Sequence, residues 1–157
     1  MIIMKWVKLI ISIIVAQLAG ILGSLFTITS DNSWFSNLVK PSFNPPNWIF
    51  GPVWTLLYFL MGISLYLIWV SKKSKNRKIG LYLFFTQLIL NSLWSILFFG
   101  LNNPLFAFVE IILLWVAILL TILYFYKVNK KASYLLIPYI LWVTFAAILN
   151  LSIFMLN

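Results

Sequence analysis

Residues 104–127 read PLFAFVEIILLWVAILLTILYFYK, and the only charged side chains in this run are Glu110 and, at its end, Lys127. A helix of about 20 mostly apolar residues is long enough to cross the hydrocarbon core of a bilayer. We therefore predict a transmembrane helix over 104–127.

Four further stretches are long enough and apolar enough to do the same, and Lys8 is the only charged residue inside them. The five predicted spans lie near 6–28, 47–70, 79–101, 104–127 and 132–156. They use nearly the whole chain, which predicts one domain, 1–157, with no soluble module. The predicted fold class is an all-α integral membrane protein, built as a bundle of five transmembrane helices.

The composition agrees with a membrane protein and excludes several kinds of chemistry. Of the 157 residues, 64% are hydrophobic and only 8% are charged, against roughly a quarter charged in a soluble domain. The chain has no His and no Cys, which excludes zinc sites, thiol nucleophiles and His-based triads. Its two acids, Asp31 and Glu110, are far apart in the sequence, so no paired-carboxylate mechanism is expected. We therefore expect no metal, no cofactor and no conventional catalytic site.

The positive charges are distributed unevenly. With five spans, ten of the eleven basic residues fall on one side of the membrane, and only Lys40 falls on the other. The ten are Lys5, Lys8, Lys72, Lys73, Lys75, Arg77, Lys78, Lys127, Lys130 and Lys131. The positive-inside rule predicts a cytoplasmic N-terminus, with the first loop and the C-terminus outside. The same asymmetry accounts for the net charge of +9 without a nucleic-acid partner.

The first span raises two questions. Lys5 and Lys8 before an apolar run resemble a signal peptide, but the run is longer than the usual stretch of about 7–15 residues and ends in no A-x-A cleavage site. We therefore predict a retained helix. Small residues spaced by four form a ridge for close helix packing, either within the monomer or against a second copy. They are Ser12, Ala16, Gly20 and Ser24.

The longest link between predicted spans is 29–46, which is rich in prolines and aromatic residues. The prolines, which cannot continue a helix, are Pro41, Pro45 and Pro46. The aromatic residues are Trp34, Phe35 and Phe43. Two interpretations remain open: an interfacial aromatic belt with a turn, or an ordered lid over the helix bundle.

Several spans carry aromatic and amide side chains at spacings of three or four, which places them on one helical face. The faces are Trp54, Tyr58 and Met61 in the second span, Gln87, Asn91, Trp94 and Phe98 in the third, and Pro138, Trp142, Ala146 and Asn150 in the fifth. Turned inward, they would line a pocket suited to a flat apolar ligand. Alternatively, the amides only join helices, at about 0.6–2 kcal/mol each.

Three other residues inside the spans need an explanation. Glu110 is either protonated, hydrogen-bonded to an amide or wet near the outer interface, and we expect a structural role because no other side chain in the spans titrates near neutrality. Pro52 and Pro138 are expected to kink their helices. For Pro52 the alternative is that the second span begins later than residue 47.

Short motifs follow one another along the chain in a specific order. KPSFNPP at 40–46 precedes FGPVWTLLY at 50–58, and then Met61-Gly62. The later motifs are Gln87-Leu88, Leu90-Asn91, Trp94-Ser95, Phe98-Phe99-Gly100, LLIPYILW at 135–142, Phe145-Ala146 and Leu149-Asn150. In order and spacing, over nearly the whole chain, they resemble the translocator protein family (TSPO), also called tryptophan-rich sensory proteins or peripheral-type benzodiazepine receptors.

The resemblance implies a five-helix bundle, often a homodimer, with a pocket open toward the first loop. Members of the family bind porphyrins such as protoporphyrin IX, sterols in animals, and synthetic isoquinoline carboxamides. Carried over by position, the ligand contacts would be Trp34, Phe35, Trp54, Tyr58, Asn91, Trp94, Trp142 and Ala146. The positions of Trp54 and Trp142 are tied in bacterial relatives to light-dependent porphyrin breakdown, which makes these two residues the catalytic candidates.

Two departures from the family pattern refine this expectation. Phe43 stands where the family usually has Trp, and no basic residue follows Tyr139 to complete the animal sterol motif. We therefore expect a bacterial-type member in a bacterial cell membrane rather than a sterol transporter. The leading hypothesis is a receptor or sensor that binds porphyrins or related apolar small molecules. The alternatives are a light- and oxygen-dependent porphyrin-degrading enzyme, and a carrier of porphyrin or lipid across the membrane.

Overall fold

The computed structural model describes residues 2–157, so Met1, which the predicted domain includes, lies outside the described residues. Within them, five helices are long and apolar enough to cross a membrane, which confirms the predicted fold class. The α-helices are α1 (Ile2–Ser24), α2 (Trp34–Asn37), α3 (Asn47–Trp69), α4 (Lys75–Ser95), α5 (Pro104–Tyr126), α6 (Lys130–Tyr134) and α7 (Ile137–Leu156). A π-helical segment, Ile96–Gly100, extends α4.

The boundaries of two spans differ from the sequence prediction for local reasons. The first helix ends at Ser24 rather than at residue 28. The third span begins at Lys75 rather than at residue 79, because the hydroxyl of Ser74 caps the helix and accepts a hydrogen bond from the Arg77 N–H at 3.1 Å. A polar first turn therefore precedes the apolar run that marked this span in the sequence.

The two prolines expected to kink their helices behave differently. Pro52 lies inside α3, which already begins at Asn47, so the alternative of a later start is wrong. The predicted fifth span is interrupted before Pro138: α6 ends at Tyr134, and α7 begins at Ile137 with Pro138 in its first turn. A proline is tolerated there because a first-turn N–H has no acceptor within its own helix.

The connection between α4 and α5 combines irregular backbone with a strong helix start. In the π-helical segment, the Leu101 N–H donates to the Ile96 carbonyl at 2.8 Å. Asn102 then adopts a φ of 51°, a conformation that Asn tolerates better than most residues. Asn103 caps α5 by accepting from the Phe106 N–H at 3.0 Å, ahead of Pro104. Segments of π-helix are frequent at functional sites, and this one presents Phe98 and Phe99 to the interior.

The small-residue ridge of α1 packs within the monomer. Helix α1 lies against α3 and α4, and Ser12 and Ala16 are fully buried. The closest approach is at Gly62 of α3, where an added Cβ would lie 2.6 Å from the Ile13 Cα. Ser24, at the end of the predicted ridge, is exposed instead. Of the two packing alternatives for this ridge, the structure shows the one inside the monomer.

The five long helices form a ring, and some neighbouring pairs pack more closely than others. Helix α4 packs along α5, α5 along α7, and α6 against both α3 and α5. Lys8 of α1 lies over the ring of Trp69, with 5.6 Å between its Nζ and the ring centroid, so the start of α1 adjoins the end of α3. Arg77 caps the same end of α3 by donating to the Ile68 and Trp69 carbonyls at 2.9 and 2.8 Å. Lys8 and Arg77 therefore lie at the same end of the bundle.

A buried chain of hydrogen bonds joins three of the long helices. The Tyr58 hydroxyl on α3 donates to the Asn91 side-chain oxygen on α4. The Asn91 amide donates to the Tyr139 hydroxyl on α7 at 2.9 Å, and that hydroxyl donates to Gln87 at 2.7 Å. All four side chains are nearly inaccessible to solvent. Because hydrocarbon offers polar groups no partners, these buried hydrogen bonds favour one arrangement of the helices.

We predict that Gly62→Ala lowers the free energy of unfolding by about 1–3 kcal/mol, because the added methyl group meets backbone rather than a movable side chain. Gly51→Ala, in the same helix, is the control, since its Cβ would have no neighbour within 4 Å. The measurement is thermal unfolding in detergent, followed by circular dichroism. Equal melting temperatures for the two variants would contradict the close approach.

We also predict that Tyr139→Phe lowers the free energy of unfolding by about 1–3 kcal/mol, since it leaves Asn91 and Gln87 with buried polar atoms unpaired. Tyr82→Phe is the matched control, because Tyr82 is 64% exposed. The same unfolding measurement applies. A loss no larger in Tyr139→Phe than in the control would show that the buried chain contributes nothing to stability.

Candidate functional site

A cavity of about 390 Å³ lies inside the helix bundle, beneath α2. Its size is within the range of small-molecule pockets, roughly 300–1,000 Å³. Helices α1, α3, α4, α5 and α7 and the π-helical segment all contribute to its lining, which is mostly apolar. The interior of the bundle is therefore hollow on this side rather than filled with aliphatic side chains.

Eight aromatic side chains contribute to the cavity wall. Trp54 stacks on Tyr58, with ring centroids 5.6 Å apart, and Trp94 stacks on Phe98 at 5.0 Å. Trp142 stands edge-on to Phe50, at 6.0 Å, and closes the wall between α3 and α7. By contrast, Trp6 and Trp48 at the helix ends are 61% and 74% exposed, as belt residues would be. Three indoles from three helices thus converge on one hollow.

Most hydrogen-bonding groups of the wall are already occupied by protein partners. Both polar atoms of the Asn91 side chain are engaged in the buried chain. The Trp94 N–H donates to Asn150 at 3.0 Å, and Asn150 donates in turn to the Pro104 carbonyl at 2.8 Å. These amides therefore join helices, which was the plainer of the two sequence interpretations.

Among the fully buried polar atoms of the wall, the indole nitrogen of Trp142 is the exception to this pattern. This Nε1 atom is buried and has no hydrogen-bond partner among the described residues, while the ring lines the cavity. A buried donor without an acceptor costs about 1–3 kcal/mol. An acceptor atom on a bound molecule would remove that cost, so this buried N–H is a candidate point of polar recognition in the cavity wall.

Seven of the eight predicted ligand contacts line this cavity. They are Phe35, Trp54, Tyr58, Asn91, Trp94, Trp142 and Ala146. Trp34 does not line it: its ring stands edge-on to Phe98, with centroids 5.6 Å apart, because the first turn of α2 directs Phe35 inward instead. That these residues contact a ligand remains a prediction.

The link 29–46 forms an ordered cover, as the lid interpretation supposed. Ser33 caps α2, and Phe35 is only 5% exposed, packed against Phe98 and Phe99. Farther along, Asn157 holds Val39 by two hydrogen bonds: the Val39 N–H donates to the Asn157 oxygen at 2.9 Å, and the Asn157 amide donates to the Val39 carbonyl at 3.0 Å. The cover is thus fixed to the end of α7.

Glu110 lies behind the cavity wall. Its neighbours Ile111 and Leu114 line the cavity, whereas Glu110 does not, and it is 5% exposed. Neither carboxyl oxygen has a hydrogen-bond partner among the described residues, so the bond to an amide, one of the three alternatives for this residue, is absent there. The expected structural role of Glu110 remains a prediction.

Sequence reasoning missed several residues of the site. Tyr139, the centre of the buried chain, lies three residues before Trp142 and so on the same face of α7, a spacing that could have identified it. Phe50 lies in α3 four residues before Trp54, a spacing that could have identified it, whereas Phe99 lines the cavity from the π-helical segment, which a helical period does not reveal. Gly20 faces the Tyr58 ring, which brings α1 into the wall.

Comparison with known proteins shows similarity to members of one family. A sequence profile of the TspO/MBR family matches residues 12–156. The tryptophan-rich protein TspO of Archaeoglobus fulgidus is 51% identical over 154 residues, covering 98% of this chain and 99% of its own. Protein CrtK of Rhodobacter capsulatus is 35% identical, with coverage of 88% and 86%, and the translocator protein of Bos taurus is 35% identical, with coverage of 92% and 87%. With this match over nearly its whole length and a five-helix membrane fold, the chain belongs to the TspO/MBR family.

Proposed function

We propose that this protein is a membrane receptor or sensor that binds porphyrins, of the protoporphyrin IX type, or related flat apolar molecules in the cavity beneath α2. Membership of the family supports a sensor or receptor role in general, and one relative carries the name tryptophan-rich sensory protein. The ligand class is the one that the family resemblance implies, and the chemistry of the cavity wall supports it.

The free N–H of Trp142 carries this proposal. Trp54, Trp94 and Trp142 offer flat apolar surfaces that stack on an aromatic macrocycle. The unpaired N–H calls for a ligand with an acceptor at its edge, such as the propionate of a porphyrin or the carbonyl of a carboxamide. A flat apolar body with an acceptor on its rim fits both features.

We predict that Trp54→Phe/Trp142→Phe weakens protoporphyrin IX binding about tenfold or more, since both indoles and the free donor are lost while the wall stays aromatic. The measurement is titration of the purified protein in lipid nanodiscs, with the dissociation constant taken from the porphyrin absorption band and from tryptophan quenching. Following the porphyrin band keeps the result independent of the number of tryptophans.

The matched control is Trp6→Phe/Trp48→Phe, which removes two indoles that face outward at the helix ends. It should bind with the wild-type dissociation constant. Equal affinity in all three proteins would contradict binding in the cavity, and equal weakening in both double variants would assign the ligand to the bilayer-facing surface.

A second candidate function is degradation of bound porphyrin by light and oxygen. One observation favours it: Trp54 stacks on Tyr58, whose hydroxyl enters the buried hydrogen-bonded chain. Both rings are readily oxidised, so an excited ligand against Trp54 would meet two electron donors in contact. The cavity contains no conventional acid–base pair, and any such activity would be photochemistry on a bound molecule.

For this candidate we predict that illumination of the aerobic complex gives a new absorbing product with its own mass, and that Trp54→Phe forms it more slowly. Mass spectrometry of the extracted pigment is the measurement, with the dark complex and free porphyrin as controls. Bleaching at the rate of free porphyrin, with no new product, would rule out the degradative function and leave the receptor proposal intact.

We also propose the orientation expected from charge, with the N-terminus in the cytoplasm. The contacts of Lys8 and Arg77 with the end of α3 support it, because they place these two positive charges at one end of the bundle. The covered end of the cavity would then face outward. A homodimer remains an expectation from the family resemblance.

A further inference from the structure

A second hollow lies on the outside of the bundle, where α3 and α7 pass each other. It is a shallow groove facing the bilayer, and only apolar residues and one indole line it. Its lining comprises Val53, Leu56, Leu57, Pro138, Leu141, Trp142 and Phe145. Leu56 and Leu141 are more than half exposed, so the groove is open to acyl chains.

The groove marks the thinnest seam of the helix ring. Close backbone packing joins α1 to α3 and α4, α4 to α5, and α5 to α7, whereas α3 and α7 make few close backbone contacts. Trp142 lines both the groove and the inner cavity. One indole therefore stands between the cavity and the hydrocarbon of the membrane.

Trp142 is held in a way that permits rotation. Its N–H has no partner within the described part of the chain, and its ring rests against the rings of Phe50 and Phe145, with centroids 6.0 and 5.4 Å away. Turning it aside breaks no hydrogen bond. Trp94, in contrast, is tied to Asn150 and would lose a bond if it moved.

Entry through the covered end of the cavity would break more contacts than entry through the seam. Opening the covered end would expose Phe35, which is buried against Phe98 and Phe99, and would break the two hydrogen bonds between Val39 and Asn157. A flat apolar ligand is also far more concentrated in acyl chains than in water, because transfer of apolar surface out of water is favourable.

We propose that the ligand enters and leaves the cavity sideways from the bilayer, through the seam between α3 and α7, with Trp142 as the side chain that swings aside. This inference rests on the proposed function. It assigns the groove to an apolar, membrane-dissolved ligand on its way to the cavity. It also gives Trp142 two roles, as a movable gate and as the donor that meets the ligand once inside.

The test is to lock each route in turn, which is straightforward because the chain has no native Cys. The seam lock is Leu56→Cys/Leu141→Cys, joined by a short bismaleimide across the groove. The matched lid lock is Val39→Cys/Asn157→Cys, at residues already in contact. None of these four residues lines the cavity. Protoporphyrin IX binding to nanodiscs is followed by stopped-flow quenching before and after linking.

We expect the seam lock to slow association and dissociation about tenfold or more with an unchanged dissociation constant, and the lid lock to leave both rates unchanged. Phe145→Ala, which widens the groove at a residue that does not itself line the cavity and removes a ring that rests on Trp142, should speed both rates. Slowing by the lid lock alone, equal slowing by both, or slowing by neither would overturn the sideways route. Absence of binding in the unmodified protein would instead refute the proposed function.

Discussion

Hydrocarbon cannot hydrogen-bond, so every polar group that this chain places inside the membrane must find its partner within the protein. The structure meets that constraint for four side chains by linking α3, α4 and α7 through Tyr58, Asn91, Tyr139 and Gln87. Trp94 and Asn150 extend the same solution toward the start of α5. Because these bonds fix how the helices stand around the interior, they help the cavity keep its shape beside the aliphatic core of the bundle.

Against that background, the unpaired N–H of Trp142 is informative. It is a buried donor without a partner among the described residues, and its indole lines the cavity where a ligand would lie. The same freedom from a partner lets the indole move, at the seam where the helix ring is thinnest. Recognition and access would then depend on one side chain, whereas the amides around it hold the frame.

Much of the architecture could be predicted from the sequence. Uncharged runs long enough to span a membrane, and the basic links between them, are visible along the chain without knowledge of tertiary contacts. Helical spacing also predicted inward-facing side chains on separate spans, and the cavity lining includes Trp54, Tyr58, Asn91, Trp94 and Trp142. Helical spacing could not tell which amide side chains form hydrogen bonds to neighbouring helices, since that depends on distances between separate spans. The break before Pro138, the π-helical segment at Ile96–Gly100 and the inward turn of Phe35 rather than Trp34 are likewise tertiary outcomes.

The central claim is that indoles from three helices surround a ligand and that the Trp142 N–H meets an acceptor on it. The most direct measurement is an NMR spectrum of the indole N–H groups, labelled with ¹⁵N, recorded with and without protoporphyrin IX. The account predicts large shifts for Trp54, Trp94 and Trp142, a hydrogen-bonded position for the Trp142 proton, and little change at Trp6 and Trp48. Shifts confined to Trp6 and Trp48 in a saturated sample would contradict it.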